Sequence, residues 1–553
     1  DFDTGETLIG VNVFDSHHQK GSSSNNFGYY SYTTSSGKVE LIFSYIGYEP
    51  MVFSSIVEKD STLNVMLRPA HLAEVVVEGS REEVLQERTQ MGAVNIPLRQ
   101  IREMPALFGE VDVLKVLQLL PGVQSGSEGT SGLYVRGGGP DQNLILLDGV
   151  PVYNASHLFG FFSVFNADAI KNVELIKGGF PARYGGRLSS VLDISMKDGN
   201  MKEFHGEGSI GLIASKLTLE GPIVKDKTSF IVSGRRSYLN LLQLPFINMP
   251  GSEGGSTGYY FFDVNAKVNH IINENNRLYL SFYGGEDKGH STSSNVYTHE
   301  DKSTEIEEGT HIGWGNMISA LRWNHIFNKK LFANFSGTYT KYHFNLFNEL
   351  ERINKENGEV VDEYFYHADY RSGIRDYALK ADFDYIPSST HYIKFGASHI
   401  FHRFSPGVYT TLEKDQEINR PSLSINDSQE YAFYVEDDIN LNQKIKINLG
   451  LHYSGFIVDD QHYKSLQPRI AARYLLDNNS SIKASYATMT QFVHLLTNAG
   501  LGMPTDLWVP ATANIGPQES WQTSIGYYKS LPGGLEMSVE GYYKEMDGLL
   551  EYK

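Results

Sequence analysis

The side chains that could do chemistry in this chain are scattered, and their spacing argues against most of that chemistry. The neighbours His17 and His18 have no Glu at metal-binding spacing and read as a solvent-exposed turn. His343 and His367 stand at the two ends of one polar segment, with Glu363 and Asp369 near the second, which is not a recognised ligand set. Gly137-Gly138-Gly139 follows an apolar run but lacks both the G-x-G-x-x-G spacing and a following Lys-Ser or Lys-Thr, so it does not read as a phosphate loop. No Ser/His/Asp arrangement and no acid–base pair of carboxylates stands out. The expectation is therefore no catalytic residue, no resident metal, no cofactor and no enzyme activity. Cysteine is absent, which removes disulfides and thiolate ligands. What is left for function is charge beside glycine and aromatic residues beside polar ones, and both need a scaffold to place them.

That scaffold is mostly β. From about residue 203 onward, strands of about ten alternating residues are joined by tiny polar turns on one side and long segments on the other, the pattern of an outer-membrane barrel. Lys444–Gly455 is the cleanest case: Ile445, Ile447, Leu449, Leu451 and Tyr453 share one face, and Lys444, Lys446, Asn448, Gly450 and His452 the other. Short turns fall at 224–227, 273–276, 328–330, 387–390, 442–443, 477–480 and 532–534. Seven turns account for about fourteen strands, and one more near Phe204–Gly211 makes about fifteen. The segments near 240–258, 286–311, 345–368, 404–428 and 491–515 read as long loops at the opposite end. No 18-residue apolar stretch exists, so a helical span is excluded. The mean hydropathy of −0.31 is ordinary for a barrel that turns only every second residue to lipid. The aromatic content of 12% and the 53 Gly suit girdles and tight turns. A net charge of −18 with no basic tract argues against nucleic acid.

Ahead of the barrel, residues 1–69 carry strand patterns at 8–14, 29–32, 39–45 and 63–67, and about six short strands in that length suggest a small β-sandwich. His71–Gly79 is short and apolar with polar flanks. It reads either as one more buried strand or as a detachable one that could pair with the edge of a partner's sheet. Val111–Leu120 has a helical pattern that stops at Pro121-Gly122. Asn143–Val152 is a hairpin with Asp-Gly at its corner, and 170–179 and 190–196 are further strands.

The runs "LYVRGGGPDQNLILLDGVPVY" and "IKNVELIKGGFPARYGGRLSSVLDI" resemble the plug of TonB-dependent outer-membrane receptors. "TGETLIGVNVF", "FGYYSY" and "FSYIGYEP" resemble the carboxypeptidase-regulatory-like domain, a combination typical of Bacteroidetes members. The resemblance implies an all-β transmembrane barrel of about 22 strands, of which about fifteen lie in this chain, the C-terminal part being absent. An internal α+β plug and an N-terminal β-sandwich would complete it. The implied division is 1–69 regulatory-like domain, 70–79 linker, 80–200 plug and 201–553 barrel. By the same resemblance Glu74, Val75, Val76 and Val77 match the TonB box, the segment that TonB and its inner-membrane energising complex would pull. Plug arginines Arg136, Arg183 and Arg187 would latch to a barrel glutamate, with Glu519 in the matching place. The ligand would meet Pro140, Asp141, Tyr153, His157 and Phe159 on the upper plug, and Tyr364 and Tyr366 in an outer segment. The implied activity is active import of a scarce small or medium-sized polar ligand, such as a metal chelate or cofactor, through a protein set among outer-membrane lipids with its N-terminal domain in the periplasm. The alternatives are a peptide or oligosaccharide importer working with a surface lipoprotein lid, and a non-transporting scaffold or adhesin.

Overall fold

The structure is a computed structural model. It describes residues 1–18, 20–70, 89–97, 101–102, 109–126, 132–242, 255–413, 416–419, 425–477, 479–496, 507–532 and 535–550. The TonB-box-like residues Glu74, Val75, Val76 and Val77 lie outside the described residues.

Four strands, β1 (Asn12–Asp15), β2 (Lys20–Ser23), β3 (Gly37–Ser44) and β4 (Met51–Val57), form an antiparallel sheet in the order β2-β1-β3-β4. The expected count of about six is corrected. The runs 29–32 and 63–67 are not strands, although Tyr30, Tyr32, Leu63 and Val65 pack on the core of Val13, Val39 and Phe43. Their alternating pattern records burial against one sheet face, which any covering segment can supply without a ladder.

The next layer is a five-stranded sheet: β5 (Ala93–Pro97), β6 (Asn143–Leu147), β7 (Val150–Pro151), β8 (Ile170–Ile176) and β9 (Ser190–Met196), in the order β5-β8-β9-β6-β7. Its central pair β9-β6 is parallel. Helix α1 (Val113–Leu117) starts where the Asp112 carboxylate accepts the backbone N–H groups of Leu114 and Lys115, and it buries Val113, Leu114 and Leu117 against the sheet's apolar side chains. Asp148 takes φ 49° and Gly149 φ 67°, the two positive values that a two-residue hairpin between β6 and β7 requires.

Fifteen antiparallel strands then follow in chain order as one sheet. They are β10 (His205–Ile210), β11 (Ala214–Val224), β12 (Thr228–Ser237), β13 (Gly255–Asn273), β14 (Asn276–His299), β15 (Lys302–Asn328), β16 (Leu331–Glu356) and β17 (Glu359–Tyr385). The set continues with β18 (His391–Glu413), β19 (Asn426–Asn440), β20 (Ile445–Val458), β21 (Gln461–Asp477), β22 (Ser480–Gln491), β23 (Gln518–Leu531) and β24 (Leu535–Asp547). A further short strand, Gln416–Asn419, pairs off the path with β18. The expected short turns at 224–227, 273–276, 328–330, 387–390 and 442–443 sit between these strands at one end, while Asn478 of the sixth and Gly533-Gly534 of the seventh lie outside the described residues. At the other end, three expected loops are corrected; in the span 404–428, residues 404–413 continue β18 and Gln416–Asn419 pairs with it. Residues 286–311 and 345–368 belong to β14–β17, strands of 24, 27, 26 and 27 residues that meet at tips Glu300-Asp301 and Asn357-Gly358. About 9–11 residues suffice to cross a bilayer, so these hairpins run far beyond the span. Their polar composition looks like loop, but Asn357 and Gly358 both take positive φ and close the strands tightly.

The sheet is inside out relative to a soluble protein. On β20 and β21 the apolar Leu449, Leu451 and Ile470 are 45%, 40% and 47% exposed, while Asn448, His452 and Arg469 are 7%, 3% and 1% exposed. The apolar face suits lipid, and the polar face looks onto the five-stranded sheet. Among the described residues no helix is long and apolar enough to span a membrane, which says nothing of a β-barrel.

Leu449→Arg should therefore lower the folding free energy in vesicles by about 2–4 kcal/mol if the position lies near the bilayer midplane. Asn448→Ser, on the inner face, should cost much less. Urea titration of the folded protein in lipid vesicles reads both, and equal costs would refute this assignment of faces.

Candidate functional site

The plug segment, residues 89–200, is held by the polar wall through many of its strands. Asn166 Nδ2 donates to Ser233 Oγ on β12 at 2.8 Å, and Asn316 Nδ2 on β15 to the Asn154 carbonyl at 2.6 Å. Thr340 on β16 donates to the Pro151 carbonyl at 3.1 Å. On β19–β21, Glu436 accepts the Ala182 N–H at 2.6 Å, His452 Nδ1 lies 2.7 Å from the Ala182 carbonyl, and Arg469 donates at 2.5 Å to the carbonyls of both Pro181 and Tyr184. Gln491, Ser520 and Gln522 reach the carbonyls of Asp141, Leu188 and Lys177. Contacts from β12 round to β24 mean that the sheet wraps the plug.

Three ionic sites stand out. At the first, Arg136 donates to Glu540 at 2.6 Å and to Ser524 Oγ at 3.3 Å, with its guanidinium over the Tyr542 ring. The expected latch is corrected here. Glu519 lies on the exposed face of β23, whereas the small polar residues Gln518, Ser520, Gln522 and Ser524 alternate with it and face the plug. Glu540 was legible as a member of the polar face of β24. Arg183 and Arg187 make no such pair with the wall among the described contacts. Arg183 donates to the Tyr184 hydroxyl and stands 4.0 Å from Glu174, and Arg187 donates to the Gly186 carbonyl and lies over the Trp508 ring at 5.3 Å.

At the second site Lys267 on β13 bridges Asp148 at 3.1 Å and Asp198 at 2.9 Å, with Lys171 also on Asp198 at 2.9 Å. Burial alone would raise the two carboxyls, but the cations Lys267 and Arg322 hold Asp148 below the usual range, and Lys171 and Lys267 hold Asp198 well below it.

The third site is at His157. Its Nδ1 is 2.5 Å from Asp287 and its Nε2 2.7 Å from Asp263, so both ring nitrogens face carboxylates, and the ring stacks on Phe261 at 4.4 Å. Arg235 donates to Asp263 at 2.6 Å. Burial lowers the His157 pKa, yet the two carboxylates outweigh it and raise it from 6.5 to about 9. His157 is thus a buried clamp between plug and wall rather than a surface the ligand meets.

Around it, at the long-hairpin end, aromatic rings gather. Tyr153, Phe162, Tyr259, Phe261, Trp314 and Phe344 belong to one buried cluster. Leu158 and Phe159 take φ 49° and 54°, unfavourable for bulky residues, and this turn tips the Phe159 ring over Trp314 at 5.0 Å while leaving it 40% exposed. Tyr153 is buried, donates its hydroxyl to Asp376 and packs edge-on against Trp508 at 4.9 Å. Burial, and next the Asp376 charge, push its pKa up. Pro140 is exposed and Asp141 half-buried at the start of a short turn, 140–142. Burial lifts the Asp141 carboxyl, against the pull of Arg187. Tyr364 and Tyr366 are not in a loop but on the outer extension of β17, with Arg352 over Tyr364 at 5.5 Å. The structure therefore gathers Tyr153, His157 and Phe159 in one aromatic region and leaves the β17 tyrosines apart from it. Among the described residues no group of three or more His, Asp or Glu is placed to hold a metal. His343 is 3.9 Å from Glu286, and His367 packs edge-on against Phe347.

Comparison with known proteins finds three family models along the chain. The TonB-dependent Receptor Plug Domain matches 94–190, the TonB dependent receptor-like β-barrel 250–553, and the CarboxypepD_reg-like domain 1–77. The chain is 26% identical over 275 residues to the ferrienterobactin receptor of Escherichia coli, which is 42% of this chain and 36% of that protein. It is 21% identical over 522 residues to the probable TonB-dependent siderophore receptor PirA of Acinetobacter baumannii, 81% of this chain and 64% of that one. The chain thus spans less than two thirds of the length of either curated relative. Among solved structures, the siderophore receptor PirA from Acinetobacter baumannii superposes with a TM-score of 0.55 at 15% identity, covering 83% of this chain and 71% of that chain. A ferric enterobactin receptor (PfeA) variant from Pseudomonas aeruginosa gives 0.54 at 17% identity, covering 82% and 71%. These likenesses show a shared fold.

Two outcomes follow from the geometry. Arg136→Ala removes the cation from Glu540 and leaves it only the Tyr528 hydroxyl, and breaking a buried ion pair this way costs about 3–5 kcal/mol. The plug should become protease-sensitive at lower urea, with Glu519→Ala unchanged as the control. The His157 clamp should weaken with alkali. Its pKa is raised on folding, so its stabilisation is complete below pH 6.5 and fades as pH rises through about 9. Plug unfolding followed from pH 6 to 10 should show that loss in the parent and not in His157→Gln.

Proposed function

The chain belongs to the TonB-dependent receptors, and on that premise we propose that it imports a metal chelate of the siderophore type across the outer membrane. The members of the family are receptors and transporters. The barrel stands in the outer membrane with the N-terminal domain and short turns toward the periplasm. The aromatic region at the opposite end carries the reading of the ligand. Phe159 is 40% exposed there, above Tyr259 and Trp314, and offers a ring face to a ligand of moderate size. The curated relatives, named for ferrienterobactin and for siderophores, support a metal chelate as that ligand. The regulatory-like domain ahead of the plug favours a source among the Bacteroidetes.

The mechanism follows from how the plug is held. A ligand on Phe159 presses on the turn 158–160, whose neighbours Leu158 and His157 bond directly to Asp287. The wall contacts there are hydrogen bonds and ion pairs, which can exchange for water as they part. TonB pairs with Glu74–Val77 as an added strand, whose main-chain bonds bear a pull along the chain. The pull would draw on the plug, and the Arg136–Glu540 and Lys267 sites resist it until they open.

Uptake of radiolabelled ferric catecholate and ferric hydroxamate by cells carrying this receptor, with and without TonB, tests the reading. One of the two chelates should accumulate only with TonB. Val76→Pro removes a backbone donor and should abolish that accumulation while surface binding stays near the parent's. Phe159→Ala should weaken surface binding by about 2–10-fold, the equivalent of one aromatic contact. TonB-independent uptake, or no binding of either chelate at normal surface levels, would refute the proposal.

A further inference from the structure

A partly open cavity of about 130 Å³ lies between the plug and the wall at the short-turn end, away from the aromatic region. Lys267, Arg322 and Lys380 line it from the wall, and Asp148, Asp193 and Asp198 from the plug. Thr7, Ile9, Asn25, Asn26 and Phe27 of the N-terminal domain also line it. That domain is docked on the turns of the barrel. Tyr29 and Ser31 both donate to the Lys329 carbonyl, at 3.1 and 2.9 Å, and Asn25 donates to Asp384 at 2.7 Å. The Tyr29 and Phe27 rings pack on Phe332 with centroids at 5.1 and 5.7 Å.

We propose that this cavity is the periplasmic end of the ligand's path and that residues 25–31 of the N-terminal domain are the door that closes it. Three observations carry this. The cavity touches β13, β15, β16, β17, β18 and β19 on one side and the plug on the other, so a ligand passing along the plug–wall interface there enters it. Its lining mixes cations and carboxylates, which suits a polar, hydrogen-bonding cargo and repels an apolar one. The docking bonds to Lys329 are exposed, the contact otherwise includes the two rings and the bond to Asp384, and the domain keeps its own core of Val13, Val39 and Phe43 when it leaves. It can swing as a unit without unfolding. Residues 4–7 stay tied to the end of the plug, where Glu6 accepts the N–H groups of Asp198 and Gly199 and the Thr4 carbonyl accepts that of Met201. That tie provides a hinge. The direction of travel rests on the import reading above; the closure does not.

These 553 residues hold no cysteine, so once any cysteine outside them is replaced by Ser the test is direct. Ser336→Cys places one thiol in the cavity, and a negatively charged methanethiosulfonate reports its exposure in the purified full-length receptor. If the undocked state is a minor one, of about 0.1–10%, then adding Phe27→Asp and Tyr29→Asp should speed labelling about tenfold or more. A control thiol at the exposed tip residue Lys302 should label at one rate in both backgrounds. Equal rates at position 336 in the docked and undocked receptors would overturn the proposal. The converse arm keeps every docking contact. A short thiol-reactive bridge between Ser31→Cys and Lys329→Cys should abolish TonB-dependent uptake of the ferric chelate used above while leaving its surface binding intact. Undiminished uptake by the fully bridged receptor would overturn the door. A parent that takes up no chelate would instead count against the import reading, with the labelling result standing on its own.

Discussion

A wall that is apolar outside and mostly polar inside must hold a plug largely through bonds, with apolar packing confined to patches such as the aromatic cluster of Tyr153, Phe162, Phe261 and Trp314, and the rest of the structure follows from that constraint. Hydrophobic packing, the usual glue between layers, is spent on lipid by residues such as Leu449 and Ile470, and inside the plug by residues such as Val173, Leu175, Leu192 and Ile194. Between plug and wall many contacts are a hydrogen bond or an ion pair with a named partner. A buried polar group left without one costs about 1–3 kcal/mol, and a plug that failed to meet the wall would leave many. The fit is therefore specified by chemistry at each point rather than by area.

The loop 181–184 shows how the backbone is shaped to meet this demand. It presents three carbonyls and an amide outward, and Arg469, His452 and Glu436 supply the complementary groups from three adjacent strands. The wall must come close to do so, and glycine makes room. A Cβ on Gly185 would lie 2.5 Å from His452 Nε2, and one on Gly178 would lie 2.7 Å from the Arg136 guanidinium. Gly185 and Gly178 are thus places where a side chain of the wall or of a neighbouring plug loop reaches the plug backbone. Gly138 is another, with Ser189 Oγ 2.3 Å from where its Cβ would stand.

Legibility in the sequence tracks how local the determinant is. The short turns at 224–227, 273–276, 328–330, 387–390 and 442–443 are set by adjacent turn residues such as Asn328-Lys329-Lys330, and they stand where the composition places them. The helix start at Asp112 and the Asp148-Gly149 corner are equally local. Pairings between distant segments were less legible. Arg136 is conspicuous, yet its partner is decided by the register of β24 on β23, where Gly526 faces Glu540 and Glu519 falls on the other parity. His157 reads from the sequence as a polar residue available to ligand. Its burial depends on two carboxylates more than a hundred positions away, which no local pattern announces. Composition misled in the outer hairpins, because a strand with water on both faces shows no apolar alternation to read.

The contacts also differ in what it takes to part them, and the differences impose an order. The links between the N-terminal domain and the turns at 329 and 389 are exposed, where a hydrogen bond or ion pair contributes about 0–1 kcal/mol. The Lys267, Arg136 and His157 sites are buried, and opening one strands charges in a low-dielectric interior at a cost of about 3–5 kcal/mol when a partner is removed. A pull or a collision strong enough to move the plug is more than enough to lift the domain below it. The reverse does not hold, since lifting the domain leaves all three buried sites closed. The weak exposed contact is thus the first to open and the buried ionic sites the last, so the path stays shut by its strongest bonds when only its floor is disturbed.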